Sequence, residues 1–219
     1  MPRAPFLSLD GIDGTGKSTQ CRLIVDWLNA AGVKAISCTD PGGTPLGDQL
    51  RTILLERKHN DDELSLRAEA MLFMASRAEL VARVIGPALE GGVAVVADRF
   101  LLANVVYQGH AGGLEPADLW QIGRVATGGL EPDLTFVLDL PVAEAIRRRG
   151  RDADRLESRT PDYQERVRQG FLAEARAHPD RLRVLDASPS IDVLQLRLRA
   201  ELVPWLGSRG IALTGPRTP

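Results

Sequence analysis

The chain has 219 residues, enough for one α/β domain with a substantial core. Hydrophobic residues make up 44%, charged residues 26%, and the formal net charge is -2, so the broad basic field of a nucleic-acid binder is absent. No stretch approaches the roughly 18 apolar residues that span a bilayer, and the first apolar run is too short for a signal peptide; a cytoplasmic protein with no membrane or nucleic-acid partner is expected.

In chain order, Phe6 to Leu9 reads as a buried strand. It leads into Gly11-Ile12-Asp13-Gly14-Thr15-Gly16-Lys17-Ser18, a complete GxxxxGK[ST] loop, and an amphipathic helix follows from Lys17 to Ala31, stopped at Gly32. Such a loop turns backbone N–H groups inward to cradle phosphates, with Lys17 on the β and γ phosphates and the Ser18 hydroxyl on Mg²⁺; Thr19 continues the ATP-binding run. Ala35 to Cys38 is a second strand. A long helical pattern over Leu64 to Ile85 carries Phe73 and Arg77 four residues apart, on one face. Taken alone, the pair reads as a core ring and a solvated arginine; together they can stack a base and grip its phosphate.

Val93 to Ala97 is a third strand and runs into Asp98-Arg99-Phe100. An acid at the carboxyl end of a buried strand is where a Mg²⁺ ligand is expected. Leu134 to Leu138, the fourth strand, ends in a competing acid, Asp139; Asp98 is preferred because Arg99 adds phosphate donors beside it. Arg183 to Leu185 is a fifth strand. Helices are expected at 116–127, 142–149, 161–177 and 190–206, and a flexible tail at 207–219. Strands alternating with helices predict one α/β domain over residues 1–206: a P-loop NTPase-type parallel sheet of about five strands, helices on both faces, and ligands beyond the carboxyl ends of the strands. No guanine-reading NKxD element surrounds Lys17, Lys34 or Lys58, which argues against a GTPase. Cys21 and Cys38 lack metal-ligand spacing and read as reduced, packed thiols. His59, His110 and His178 suggest no triad.

Seven motifs in order resemble the thymidylate kinase family through about residue 206: the loop with Asp13 inside it, Pro41-Gly42-Gly43-Thr44, Phe73-Met74-Ala75-Ser76-Arg77, Asp98-Arg99-Phe100, Tyr107-Gln108-Gly109, Pro132-Asp133-Leu134 and Asp154-Arg155-Leu156-Glu157. The resemblance implies that Phe73 stacks on thymine, that Arg77 and Arg99 hold the acceptor monophosphate, and that Asn104 meets the base edge. It implies that Tyr107 crowds the sugar 2′ position and that Asp13 lies near the 3′-hydroxyl and the transferring phosphate. The arginine-rich stretch at about 147–160 resembles the family's lid over ATP. Because Gly14 follows Asp13, where some members carry the catalytic arginine, the lid is expected to supply it from Arg149, Arg151 or Arg155. A homodimer is implied as well. Thr39-Asp40 stands where members commonly have Arg-Glu, Asp10 where they have Glu, and Ala103 where they have Ser, so the acceptor side departs most. The expected reaction is Mg²⁺-dependent transfer from ATP to dTMP. The alternatives are another acceptor such as dUMP, or a nucleotide-binding module without catalysis.

Overall fold

The computed structural model describes residues 4–55, 64–149 and 160–214. Strands β1 (Phe6–Asp10), β3 (Ala94–Asp98) and β4 (Leu134–Asp139) are near-continuous apolar runs, and nearly every residue in them is buried. Strands covered on both faces by helices require that pattern. β2 (Ala35–Thr39) and β5 (Leu182–Asp186) are only partly buried and form the edges. All pairings are parallel, in the order β2-β3-β1-β4-β5. Leu9 and Thr39 both register with Asp98, and Asp139 with Asp186. Every strand therefore delivers its carboxyl end to one edge of the sheet, with β1 at the centre.

Alternation along the strands sorts the core into two layers. Leu7, Leu9, Val96, Phe136 and Leu138 pack with Ile24 and Leu28 of α1 (Lys17–Ala30), Phe171 of α8 (Pro161–Ala177) and Leu198, Leu202 and Leu206 of α9 (Ile191–Ser208). Phe6, Val95 and Ala97 face the other way, against Met74 and Leu80 of α3 (Leu66–Leu80) and Leu119 of α6 (Pro116–Thr127). Caps agree with the sequence: the hydroxyls of Ser65, Thr160 and Ser190 accept from the first-turn N–H groups of α3, α8 and α9.

α6, α7 (Val142–Arg149) and α8 lie on the predicted segments. Three differences stand out. The long helix does not stop at Ile85: α3 passes through a π-helical turn, Val81–Ile85, into α4 (Gly86–Glu90), and the widened turn falls directly before Pro87, which has no N–H to continue the helical pattern. α2 (Pro45–Leu55) and α5 (Leu101–Asn104), the latter running into a second π-helical segment, Val105–His110, were not predicted, because glycines or brevity conceal their periodicity. The expected tail differs as well. α9 reaches Ser208, Ile211 and Leu213 pack on the core, and the Thr214 N–H donates to the Ala31 carbonyl at 2.8 Å.

Candidate active site

The loop after β1 forms as glycine chemistry dictates. Gly11, Gly14 and Gly16 have φ of 136°, 92° and 89°, values that cost other residues strain. Thr15 and Lys17 tie the loop down from inside, both donating to the Ile12 carbonyl, at 2.9 and 2.8 Å. Gly14 is locked for a second reason: a Cβ there would collide with the Ala145 carbonyl oxygen of α7. Where the resemblance implies an arginine in some members, this chain has no room for a side chain.

Gly14, Gly16, Lys17, Ser18 and Thr19 line a cleft of about 460 Å³ at the carboxyl edge of the sheet. The same cleft is lined by Asp13, Phe73, Arg77, Asp98, Arg99, Asn104, Tyr107 and Arg149, so every sequence-predicted site side chain within the described residues faces it except those of Ile12 and Thr15, which hold the loop from beneath. Arg151 and Arg155 lie outside the described residues. Ser18 Oγ donates to Asp98 Oδ2 at 2.5 Å. Asp139, the competing acid, is instead held by Arg168 through two bonds of 2.7 and 2.9 Å.

Asp13 is the hub of the acceptor side. Its Oδ1 accepts from Arg99 at 2.7 Å and from Lys17 at 3.4 Å, and its Oδ2 from the Tyr107 hydroxyl at 3.3 Å. Burial alone would raise its pKa; Arg99 and then Lys17 outweigh that and hold the carboxyl well below the usual range. Arg99 also donates to the Tyr107 hydroxyl at 3.0 Å, and its guanidinium lies 4.9 Å from the centre of that ring. Its φ of 69° makes it the non-glycine residue with a left-handed backbone among those described, a strain that the packed site sustains. Its Nη1 is buried and has no hydrogen-bond partner among the described residues.

Arg77 has its own set of buried partners. It is 1% exposed, its Nε donates to Asp40 Oδ2 at 2.6 Å, and its Nη1 donates to Asn104 Oδ1 at 3.1 Å. Its partners are thus Asp40 and Asn104, whereas Asp13 is bonded to Arg99. Of the two arginines expected on the acceptor phosphate, Arg99 is the one bonded to Asp13 of the phosphate loop. Phe73 packs on Leu54 and also lines the cleft.

Asp10 ends β1 fully buried, and neither carboxylate oxygen has a hydrogen-bond partner among the described residues. Burial pushes it up to about 7, against the pull of Arg99 and Lys17. Burial likewise lowers the Lys17 ammonium, with Arg99 adding repulsion.

Several lining residues had no assigned role in the sequence. Arg51 of α2 donates to the Pro41 carbonyl at 2.8 Å and restores a cation on the flank where Thr39 replaces one. Arg148 anchors α7 to the loop before α9, donating to the carbonyls of Ala187 at 2.7 Å and Ser188 at 2.6 Å. Arg51 was hidden because α2 went unread, and Arg148 because it is one of three consecutive arginines.

The thymidylate kinase family profile matches residues 9–197. Thymidylate kinase of Rhodopirellula baltica is 48% identical over 187 residues, covering 85% of this chain and 75% of that relative. Thymidylate kinase of Symbiobacterium thermophilum is 46% identical over 195 residues, covering 89% and 90%. The crystal structure of thymidylate kinase from Ehrlichia chaffeensis superposes with a TM-score of 0.74 at 27% identity, covering 92% of this chain and 99% of that one.

Proposed function

The chain belongs to the thymidylate kinase family, and from that premise we propose how its cleft moves the γ-phosphoryl group of ATP onto dTMP. The chain is an ATP-dependent dTMP kinase, giving ADP and dTDP; an acceptor other than dTMP, or a module without catalysis, is not favoured with relatives at 46% and 48% identity. The observation that carries the mechanism is a single cleft lined by the phosphate loop, Arg99, Phe73, Arg77 and Asn104 together.

ATP lies with its phosphates on the loop N–H groups and Lys17. dTMP stacks its base on Phe73 and turns its edge to Arg77 and Asn104, so its phosphate reaches Arg99. The unpartnered Nη1 of Arg99 supports that assignment, since a donor-only group there takes an anionic oxygen. Tyr107, fixed by Arg99, crowds the sugar 2′ position, and Asp13 accepts from the 3′-hydroxyl. The transfer needs positioning and charge neutralisation more than a strong base.

Ser18 and Asp98 are adjacent hard oxygen donors lining the cleft. A magnesium ion carried by ATP needs only one or two such protein ligands, and these residues fit it. Bound there, Mg²⁺ supplies charge neutralisation on the phosphates. The remaining positive charge comes from the arginines at 147–160; Arg148 and Arg149, which line the cleft, support this.

A homodimer is part of the proposal. Exposed Leu46 and Ile53 on α2, Met71 on α3, and Ile122 and Val125 on α6 are apolar side chains on helices that pack side by side. The stripe from Met71 to Val84, by contrast, is mostly turned to the core. Among the described residues no helix is long and apolar enough to cross a membrane; the cytoplasm, where Cys21 and Cys38 stay reduced, is the proposed compartment.

The test is a coupled ADP-release assay with Mg·ATP against dTMP, dUMP, UMP, CMP, AMP and GMP, with Lys17→Ala alongside. Preference for dTMP, lost in Lys17→Ala, is expected. Negligible dTMP turnover by folded protein would sink the mechanism.

A further inference from the structure

The ring of Tyr107 stands between the cleft, which it lines, and helix α8. On the cleft side its hydroxyl meets Arg99 and Asp13, at 3.0 and 3.3 Å. On the other side it packs on two rings of α8, neither of which lines the cleft. Phe171 lies with its ring centre 6.1 Å away and its plane at 74°, and Tyr163 at 6.5 Å and 59°. Tyr163 and Phe171 are both buried, so this side of Tyr107 belongs to the interior.

The backbone around Tyr107 is fastened to α8 as well. Where the π-helical segment ends, the Ala111 N–H goes to the Val106 carbonyl and the Leu114 N–H to that of Gln108. The Tyr107 carbonyl between them accepts from the Tyr163 hydroxyl at 2.7 Å. Further along α8, Arg166 Nε donates to the Ala111 carbonyl at 3.4 Å, and Glu174 Oε1 lies 2.7 Å from His110 Nε2. The contact leaves no slack. A Cβ on Gly170 would fall 2.8 Å from His110 Cβ and 2.9 Å from Val106 Cγ1, so only a glycine lets α8 come this close.

We infer that Phe171 and Tyr163 are positioning residues for sugar choice: they form a backstop that keeps the Tyr107 ring from yielding to a 2′-hydroxyl. A ring excludes an added oxygen only as far as it cannot retreat, and retreat into a close-packed interior forces neighbouring side chains off their rotamers. Asp13 and Arg99 hold only the hydroxyl tip of Tyr107, and in the proposed complex both also serve dTMP. The ring body and the backbone are held from α8, with or without substrate. Selectivity for deoxyribose is therefore set one layer behind the cleft. The inference rests on the proposed placement of the dTMP sugar against Tyr107.

The test compares kcat/KM for dTMP and for its ribonucleotide counterpart, ribothymidine 5′-monophosphate, in the full-length enzyme, in Phe171→Leu and in Tyr163→Phe. Phe171→Leu opens space behind the Tyr107 ring, so the dTMP-over-ribonucleotide ratio falls by about tenfold. Tyr163→Phe keeps the ring but leaves the Tyr107 carbonyl without that donor, and the ratio falls by about threefold. The change appears as a higher kcat/KM for the ribonucleotide, with that for dTMP altered less than about threefold. A purely structural role for the two residues would lower Tm and both kcat/KM values together, leaving the ratio as it was. An unchanged ratio in folded Phe171→Leu overturns the inference. If Phe171→Leu does not fold, Tyr163→Phe decides alone, since it removes a single oxygen and an unchanged ratio there is equally fatal. Failure of the sugar placement is separately visible, because Tyr107→Ala would then leave the ratio unchanged. A ratio lost in Tyr107→Ala but kept in both α8 variants would overturn the backstop alone.

Discussion

Asp10 closes β1 with a carboxyl group that solvent does not reach, and burial pushes it up to about 7 from an ordinary 3.8. A native-state value above the unfolded one means that the stability linked to this group is fully present below the unfolded value and is lost as pH rises through about 7. Asp10→Asn should therefore stabilise the ligand-free protein by on the order of 2 kcal/mol at pH 8 and by little at pH 4. Urea unfolding at the two pH values measures the difference, and an equal effect at both would show that the carboxyl does not titrate in between. Arg99 is the second residue-scale case. Arg99→Lys keeps the charge and the left-handed backbone but loses the planar fork that bonds Asp13 and Tyr107 and, in the proposed complex, a phosphate. A fall in kcat/KM for dTMP of about 10- to 100-fold is expected, the cost of one or two charge-assisted hydrogen bonds.

At the scale of elements, the loop between β1 and α1 and the helix α7 fit each other through Gly14. Its φ of 92° and the Ala145 carbonyl oppose any Cβ, so Gly14→Ala should cost at least about 2 kcal/mol and weaken ATP binding. Thermal melts with and without Mg·ATP would show a lower Tm and a smaller ligand-induced rise; a parent-like response would mean that α7 yields easily. The contact also explains why this chain cannot carry an arginine at that point of the loop. α5 and the π-helical segment after it illustrate another element-scale effect. Asn104, Tyr107 and Gln108, spaced three and four residues apart along this helical stretch, fall on one face and share one cleft wall.

For the whole molecule, the assembly and the C-terminal segment are the open tests. Val125 is 80% exposed on α6, and a charge there would be buried by the proposed association. Val125→Glu should lower the sedimenting mass from dimer to monomer while leaving Tm within a few degrees; an unchanged mass would move the interface elsewhere. Residues 207–219 were expected to be flexible, yet Ile211 and Leu213 cover part of the core and Thr214 is bonded to Ala31 at the end of α1. Truncation after Gly210 should cost about 1–3 kcal/mol in urea unfolding, from the apolar surface uncovered. No loss would mean that this segment contributes only coverage and no stability.

The strand positions, the phosphate loop and the order of the motifs were legible in the sequence. Apolar runs, glycines and a strand-end acid obey local rules: alternation, positive φ and the geometry of parallel strands act over a few residues. For the same reason Lys17, Ser18, Asp98 and Arg99 could be singled out before any packing was known. What the sequence could not decide was partnership across distance. Arg77 and Arg99 read alike as arginines near the acceptor, but Asp40 and Asn104 hold one, and Asp13 and Tyr107 hold the other. Asp98 and Asp139 read alike as strand-end acids, until Ser18 meets the first and Arg168 the second. The buried Glu69 had no signal either, because its partner Gln108 lies 39 residues away. Such choices belong to tertiary structure, since a hydrogen bond depends on ångström distances that only the packing of β1, β3, α3 and α5 against one another sets.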